Sequence, residues 1–322
     1  METMRAAVVR EPGDPTVLEL TDVEIPAMKP GWSLVRVHAF GVNHSEIFTR
    51  QGLSPSVEFP RILGIECVGE IVDSEIFSEK TRIVSFMGEM GRAFDGSYAQ
   101  YVLLPNSQIY PVDSRMSSVD LAAFPETGYT AYGSMRRLNL KSYESVLIRS
   151  ATSGVGMTFA RFAKKLQPTI RLVGSTRNPN KAQALLSAGY DDVITDKDNV
   201  LETKQSFDKV LDLVGPKSIR DTFSHVNTDG IVCVTGLLGR QWTIDDLDPI
   251  EELGRGTAGH GIYLTGFYSG NVNAQRVQEM FDWIDESHVG ALPYTEFDLE
   301  HIREAHIAIE NNSVIGKIVV RV

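Results

Sequence analysis

The sequence predicts an α/β protein with two parts, one rich in β-strands and one built on a doubly wound parallel sheet. Three observations lead to this fold class. Short apolar runs bounded by Gly or Pro recur through about the first 120 residues, apolar strands and amphipathic helices alternate after Pro125, and a last apolar strand resembles the first region again. We infer that the chain leaves its first domain, builds the second and then returns.

The composition is that of an ordinary soluble protein. Of the 322 residues, 42% are hydrophobic and 23% are charged, which excludes collagen-like, coiled-coil and disordered chains. The formal net charge of −11 argues against bulk binding to nucleic acid or to anionic lipid. Two cysteines, no signal peptide and no apolar run of membrane-spanning length together predict a reduced, cytoplasmic location.

The first region is expected to form a folded-over antiparallel sheet or a partial barrel. Its apolar runs have the length of single strands, and Gly or Pro residues separate them. The predicted strands are residues 6–9, 33–39, 67–72, 83–86 and 98–104.

The second region has the rhythm of a parallel sheet whose strands are buried on both faces. Residues 145–150 form a continuous apolar strand, and a turn at 151–154 leads into a helix that ends before Pro168. Residues 179–188 predict a second helix, which Gly189 ends. Further strands are predicted at 170–174, 193–194, 209–213, 231–234 and 262–267, followed by tail helices at about 273–288 and 299–311 and a strand at 317–322.

The first strand–turn–helix of this region is a candidate dinucleotide site. Such a site needs a tight turn of small residues, which lets the backbone approach a pyrophosphate, and a helix N-terminus that faces the anion. The three glycine positions of the usual G-x-G-x-x-G pattern hold Ala151, Ser153 and Gly156 here. The alternative is an ordinary strand–helix connection. The predicted cofactor contacts of the turn are Ala151, Thr152, Ser153, Gly154, Val155 and Gly156.

The end of the second strand favours NADPH over NADH. An NAD site normally has an Asp or Glu about 20 residues after the turn, where it binds the ribose 2′-hydroxyl. No acid lies between Arg171 and Lys181. Hydroxyls and cations suit a 2′-phosphate instead, and we expect Ser175, Thr176, Arg177 and Lys181 to contact it. The alternative is a solvated basic start of a helix.

Motifs along nearly the whole chain match one known family in order. They are GVN at 41–43, TRQG at 49–52, FPRILGIE at 59–66, GSYAQYV at 96–102, TGYTAY at 127–132, ATSGVG at 151–156 and GKIVVRV at 316–322. In this order they resemble the medium-chain dehydrogenase/reductase superfamily, and within it the zinc-free quinone oxidoreductase (ζ-crystallin-like) branch. The resemblance implies a GroES-like catalytic domain of residues 1–121 and 268–322, a Rossmann domain of residues 122–267, a site in the cleft between them, and a homodimer.

The zinc ligands of the metal-dependent members of that superfamily have no counterpart here. Those members use an early Cys, a His-Glu pair and a later Cys, whereas this chain has NHSE at 43–46 and IE at 65–66, and no Cys between positions 67 and 233. Because zinc prefers thiolate and imidazole ligands, we expect no bound metal. A different metal site formed by His44, Glu66 and Cys67 is left open.

The resemblance also assigns roles to polar side chains near the nicotinamide. A carbonyl oxygen that accepts hydride becomes negative and needs a hydrogen-bond donor, and Asn43 is expected to supply it, with Arg50 as a further donor. His44 is the candidate acid, because imidazole ordinarily titrates near neutral pH; the alternative is a histidine bonded to backbone at the rim. Thr127 is expected to contact the nicotinamide amide or ribose. Further cofactor contacts are expected at Gly236, Leu237, Phe267 and Tyr268.

The expected reaction is the NADPH-dependent reduction of a quinone or an α,β-unsaturated carbonyl compound. Phe48 and Ser54 stand where quinone reductases of this branch often carry tyrosines, which removes an obvious proton donor. Residues 86–96 are either a substrate loop or a structural loop closed by Arg92 and Asp95. Two alternative functions are an alcohol or ketone dehydrogenase of the same superfamily, and a cofactor-binding structural or regulatory protein without turnover.

Overall fold

A computed structural model describes residues 2–54, 56–255 and 261–322 of the chain. The first part of the chain forms β1 (Thr3–Val9), β2 (Leu18–Glu24), β3 (Trp32–Val42), α1 (His44–Arg50), β4 (Arg61–Ile62), β5 (Glu66–Asp73), β6 (Arg82–Phe86), β7 (Tyr101–Pro105), β8 (Tyr110–Pro111), α2 (Ser118–Leu121) and α3 (Pro125–Leu138). The middle part forms β9 (Ser145–Arg149), α4 (Gly154–Leu166), β10 (Arg171–Thr176), α5 (Ala182–Ser187), β11 (Asp192–Lys197), β12 (Val200–Leu201), β13 (Phe207–Asp212), α6 (Ile219–Phe223), β14 (Val226–Val234) and β15 (Tyr263–Gly266). The last part forms α7 (Ala274–Glu286), β16 (Tyr294–Asp298), α8 (Ile302–Glu310) and β17 (Lys317–Arg321).

The chain divides into two compact units. The β-rich unit comprises Met1–Tyr129 and Gly270–Val322, and the sheet unit comprises Thr130–Ser269. The sequence placed the boundaries after residues 121 and 267, whereas the compact units divide after residue 129, which lies inside α3, and after residue 269.

The β-rich unit has two sheets around one apolar core. One sheet has the order β2-β1-β4, and the other has the order β16-β17-β3-β5-β6-β8, with β7 also paired to β3. All of these pairs are antiparallel except β16 with β17. The core is built from alternate residues of the strands and from one face of α8, including Val35, Phe40, Ile302, Ala305 and Ile309.

Strand register brings three polar residues of the β-rich unit together. Ile318 of β17 pairs with Val42 of β3, and β5 pairs with the other side of β3. Because β17 begins at Lys317, β3 ends just before Asn43 and β5 begins at Glu66, these three residues lie at neighbouring strand ends. The sheet therefore creates a polar cluster from residues that are far apart in sequence.

The sheet unit confirms the predicted doubly wound parallel sheet. Its strand order is β12-β11-β10-β9-β13-β14-β15, and every pair is parallel except the β11–β12 hairpin. The chain builds outward from β9 in one direction and then in the other, so the switch point where such sheets bind ligands lies between β9 and β13. β15 is the edge strand, and it exposes Tyr263.

The predicted elements differ from the structure mainly at their ends. The run at 98–104 forms a strand only from Tyr101, and the helices expected to begin at 179 and 299 open with 3₁₀ turns before α5 and α8. The sequence did not predict the strands β2 and β16 or the helix α1 that follows Asn43, nor the short elements β4, β8, β12, α2 and α6. Within the part of the chain that the structure describes, no helix has both the length and the hydrophobicity to cross a bilayer.

Candidate active site

A buried ammonium organises the polar cluster of the β-rich unit. The Nζ of Lys317 donates to Glu66 Oε1 at 2.5 Å, to Asn43 Oδ1 at 2.5 Å and to Thr127 Oγ1 at 2.8 Å. An ammonium has three N–H donors and no acceptor, so these contacts use all of its hydrogens. We call Asn43, Glu46, Glu66, Thr127 and Lys317 the Lys317 cluster.

Gly41 makes room for the central ion pair of the cluster. It lies on β3 between the strands that carry Glu66 and Lys317, and a Cβ at this position would lie 2.3 Å from both Glu66 Oε1 and Lys317 Cε. Atoms cannot approach this closely without a shift. The absence of a side chain at residue 41 is therefore a condition for the salt bridge.

Glu46 is the second carboxyl group of the cluster and is only 1% exposed. Its Oε1 accepts from Asn43 Nδ2 at 3.3 Å, and its Oε2 accepts from the Ser45 hydroxyl at 2.8 Å. Burial, together with the nearby Glu66 carboxylate, raises the pKa of Glu46 to about 7, although Lys317 and Ser45 act in the opposite direction. Glu46 is therefore poised to take up or lose a proton near neutral pH.

The amide of Asn43 is oriented by its neighbours. Lys317 can only donate, so it fixes Oδ1 as the acceptor, and Nδ2 then faces Glu66 Oε1 at 2.9 Å and Glu46 Oε1 at 3.3 Å. Both Nδ2 hydrogens are thus directed at carboxyl groups. A direct bond from Asn43 to an acceptor oxygen would have to replace one of these contacts, of which the bond to Glu46 is the longer.

The donor role expected for Arg50 does not fit the structure. Its side chain is fully buried, its Nη2 donates to Glu310 Oε1 at 2.6 Å, and its Nη1 lies 3.5 Å from His306 Nδ1. Burial and the charge of Arg50 lower the pKa of His306 to about 3, so that this histidine stays neutral. Arg50 therefore ties α1 to α8 and does not face a substrate.

The other residues predicted for chemistry occupy different surroundings. His44 is exposed at the first position of α1, whereas Thr127 is 2% exposed and bonds to Lys317.

In the loop at 86–96, Asp95 pairs with Arg61 at 3.1 Å and accepts from the Ile62 backbone. The closure by Arg92 and Asp95 that the sequence suggested is therefore wrong, because Asp95 ties the loop to β4.

The turn at residues 151–156, the candidate dinucleotide site of the sheet unit, is closely packed. Ser153 caps α4 by accepting from the Gly156 N–H at 3.2 Å, which explains how a serine serves in a glycine position. A Cβ on Gly156 would lie 2.6 Å from the Ala151 carbonyl oxygen, so only glycine lets the helix approach the strand. The turn presents the N-terminus of a 13-residue helix at the carboxyl end of β9, and this arrangement fits a pyrophosphate.

The four residues predicted for the 2′-phosphate lie at the carboxyl end of β10. Ser175 accepts from the Ser150 N–H at 3.3 Å, and Thr176 bonds to the Asn178 backbone, so both hydroxyls have partners within the protein. Arg177 is exposed, and burial together with the charge of Arg177 lowers the pKa of Lys181. An anion beside these two cations would relieve their repulsion.

The remaining predicted cofactor contacts lie just beyond the carboxyl ends of β14 and β15. Leu237 and Tyr268 are exposed, whereas the ring of Phe267 packs against Gly133, where a Cβ would lie 2.1 Å from the ring. A Cβ on Gly236 would lie 2.2 Å from the Leu213 carbonyl oxygen. These four residues share one edge of the sheet with the dinucleotide turn, because the carboxyl ends of parallel strands meet at the same edge.

Two family models match the chain. The model described as "Alcohol dehydrogenase GroES-like domain" matches residues 29–114, and the one described as "Zinc-binding dehydrogenase" matches residues 188–320. The chain belongs to the medium-chain dehydrogenase/reductase superfamily. This finding confirms the superfamily resemblance, and similar proteins named quinone oxidoreductase support the branch.

Three similar proteins show how the superfamily varies in substrate and cofactor. The quinone oxidoreductase of Rattus norvegicus is 25% identical over 334 residues, which cover 98% of this chain and 97% of the rat protein. The NAD-dependent alcohol dehydrogenase of Sulfurisphaera tokodaii is 27% identical over 277 residues, which cover 73% of this chain and 79% of that protein. The structure of a mycobacterial protein complexed with NADPH is 24% identical, with a TM-score of 0.81, and the match covers 99% of this chain and all of that one. The two sequence relatives support an oxidoreductase activity with a nicotinamide cofactor, and the solved structure shows the same fold.

The Lys317 cluster does not fit the zinc ion that many members of this superfamily carry. Its oxygens converge on an ammonium, and they come from carboxyl, amide and hydroxyl groups rather than from the thiolate and imidazole ligands that zinc prefers. Burial and the Glu66 charge raise the pKa of the neighbouring Cys67 to about 12, which keeps it a thiol. Among residues 2–54, 56–255 and 261–322, no three His, Cys, Asp or Glu side chains are placed to hold a metal, so the alternative set of His44, Glu66 and Cys67 is not formed there.

Sequence reasoning missed the residues that organise this cluster. In the sequence, Lys317 stands out only as the start of the closing strand, and Glu46 only as part of NHSE at 43–46. A lysine at the start of an apolar strand and a glutamate three residues after Asn43 are weak signals, because both residue types are usually exposed. Their burial was detectable only from the pairing of β3, β5 and β17.

Proposed function

We propose that this member of the superfamily is an NADPH-dependent reductase that transfers a hydride, without a catalytic metal, to a quinone or an α,β-unsaturated carbonyl compound. The observation that carries the proposal is the ammonium of Lys317 at the point where oxygens of Asn43, Glu66 and Thr127 converge. Without a Lewis acid, a site favours acceptors that spread negative charge over their own conjugated atoms. The similarity to the rat quinone oxidoreductase supports this substrate class.

The cofactor would be held by the edge of the sheet unit already described. NADPH supplies the hydride when it is bound. The backbone of residues 151–156 would hold its pyrophosphate, and Arg177 and Lys181 would hold its 2′-phosphate, as their shared positive charge favours. The other contacts proposed at this edge are Ser175, Thr176, Gly236, Leu237, Phe267 and Tyr268.

Thr127 and Asn43 would position the reacting groups. Because Lys317 donates to Thr127 Oγ1 and cannot accept, the hydroxyl hydrogen of Thr127 is directed elsewhere, and we expect it to bond to the nicotinamide amide or ribose. The acceptor oxygen would take the Nδ2 hydrogen of Asn43 that bonds to Glu46 at 3.3 Å. A preorganised donor of this kind stabilises the negative charge that hydride transfer creates.

Arg177→Asp is expected to remove the preference for NADPH. A charge-assisted hydrogen bond to phosphate contributes about 1.5–3 kcal/mol, so the Kd for NADPH should rise about 10- to 150-fold while the Kd for NADH changes little. Isothermal titration calorimetry with both cofactors measures this. Arg171→Asp is the matched control, since Arg171 is an exposed arginine at the opposite end of β10, the strand that Arg177 follows. Equal affinity of the wild type for the two cofactors would refute the assignment.

An acceptor panel tests the function itself. With NADPH, turnover of p-benzoquinone or methyl vinyl ketone supports the proposal. The second candidate is an alcohol dehydrogenase, which the similarity to the Sulfurisphaera protein favours, and its signature is alcohol turnover that EDTA abolishes. Tight NADPH binding without any turnover would point to a structural or regulatory protein and would contradict both enzymatic functions.

A further inference from the structure

The Lys317 cluster contains two buried carboxyl groups and one ammonium. Lys317 bonds to Glu66 at 2.5 Å, and the part of the chain that the structure describes shows no bond from Lys317 to Glu46. The other titratable group near Glu46, the hydroxyl of Tyr98 in the loop before β7, supplies no cation either. A second negative charge here would be buried without a partner, and such a charge is costly. Glu46 therefore retains a proton under conditions in which an exposed glutamate has lost it.

One hydrogen bond joins this carboxyl group to a less buried side chain. Glu46 Oε2 lies 2.8 Å from the Ser45 hydroxyl. Glu46 is buried, Ser45 is half-buried, and His44 before it is exposed. Asn43, which also contacts Glu46, is half-buried as well. The hydroxyl of Ser45 is thus the less buried neighbour to which the proton of Glu46 can move.

We propose that Glu46 stores the proton that the reduced acceptor takes up, and that the hydroxyl of Ser45 passes it on. This inference rests on the proposed function. Hydride adds to the β-carbon of an enone, the C=C electron pair moves to give an enolate, and the enolate takes the proton of the Ser45 hydroxyl. At the same time Ser45 receives the Glu46 proton, so that Glu46 is left as a carboxylate. Solvent reprotonates Glu46 after the product leaves, and no further oxidant or reductant is needed.

Two substitutions test proton storage by Glu46 and proton transfer by Ser45 separately. Glu46→Gln has the shape of the protonated side chain and should fold, but it carries no transferable proton, and Ser45→Ala interrupts the path and leaves Glu46 in place. We expect each to lower kcat for methyl vinyl ketone about 10²-fold, the lower end of the usual contribution of a positioned acid. Glu70→Gln and Ser313→Ala are the matched controls, because these residues lie in the same unit and outside the cluster. Their kcat should match that of the wild type.

The pH profile distinguishes proton delivery from a structural effect. The wild-type kcat should fall as pH rises through about 7, because only protonated Glu46 can donate, whereas the residual kcat of Glu46→Gln should show no such fall. A wild-type rate and pH profile in Glu46→Gln would overturn the proposal. So would a wild-type rate in Ser45→Ala.

A measurement without cofactor or substrate separates this inference from the proposed function. In ¹³C-glutamate-labelled protein, one carboxyl resonance should titrate near neutral pH and should be missing in Glu46→Gln. The absence of that resonance from the wild type would overturn the storage role. Failure of the wild type to reduce any acceptor would instead overturn the proposed function, and the delivery step with it, while the titration continues to test storage alone.

Discussion

Replacement of Lys317 by Met is expected to lower the free energy of unfolding by about 3–5 kcal/mol, the usual result of removing one partner from a buried ion pair. Lys317 is 3% exposed and Glu66 is fully buried, so the variant leaves Glu66 without its counter-charge. Asn43 and Thr127 lose a donor at the same time. Urea denaturation at neutral pH, followed by circular dichroism, measures the loss.

A double-mutant cycle with Glu66→Gln shows whether the ion pair is responsible. The double variant, Lys317→Met with Glu66→Gln, should be more stable than Lys317→Met alone, since it removes the unpaired charge. Arg321→Met is the control, because Arg321 lies on the same strand as Lys317 and forms an exposed ion pair with Glu296 of β16. We expect this substitution to change stability by less than about 1 kcal/mol. Equal effects of the Lys317 and Arg321 substitutions would contradict the importance of burial.

The second large effect is a pH-dependent gain of stability in Glu46→Gln. The pKa of Glu46 is raised from 4.5 to about 7 in the folded state. Below about pH 4.5, Glu46 is protonated in both the folded and the unfolded state. Between about pH 4.5 and 7, Glu46 loses its proton readily only in the unfolded state. The free energy of unfolding of the wild type therefore falls as pH rises through this range. The loss amounts to about 3 kcal/mol and is constant above pH 7. Gln does not titrate, so the variant escapes it.

Unfolding free energies measured at several pH values test this directly. The difference between Glu46→Gln and the wild type should grow by about 3 kcal/mol from pH 4.5 to 7 and then stay level. Glu70→Gln is the control, because it removes the charge of a partly exposed glutamate that pairs with Arg36 outside the cluster. Parallel stability curves for Glu46→Gln and the wild type would show that Glu46 ionises normally.

The parallel sheet was predictable from sequence because its signals are local. An apolar strand, a turn of small residues and a helical stripe follow one another at 145–166, and each can be recognised without knowledge of distant residues. The order β12-β11-β10-β9-β13-β14-β15 confirms that reading. The basic pair of Arg177 and Lys181 was also local, since both follow the end of β10.

The Lys317 cluster was not predictable in the same way, because strand pairing creates it. No local pattern distinguishes a buried Glu46 from an exposed one, and Arg50 in the same helix has a charged side chain that residue type alone would place on the surface. Arg50 is instead buried against α8, about 260 residues later in the chain. The motifs indicated where the site lies, but the charges and the hydrogen-bond directions within it follow only from the register of β3, β5 and β17.

The order in which the ribosome makes the chain has a consequence for the Lys317 cluster. Lys317 follows Thr127, Glu66 and Asn43 by 190, 251 and 274 residues, so the carboxylate of Glu66 is synthesised long before its counter-charge. The strands of the sheet unit lie within residues 145–266 and can pair in the meantime. Docking of β17 is then both the closing step of the first unit and the step that neutralises its interior. A chain truncated before β17 is therefore expected to retain the parallel sheet and to lack the counter-charge of Glu66.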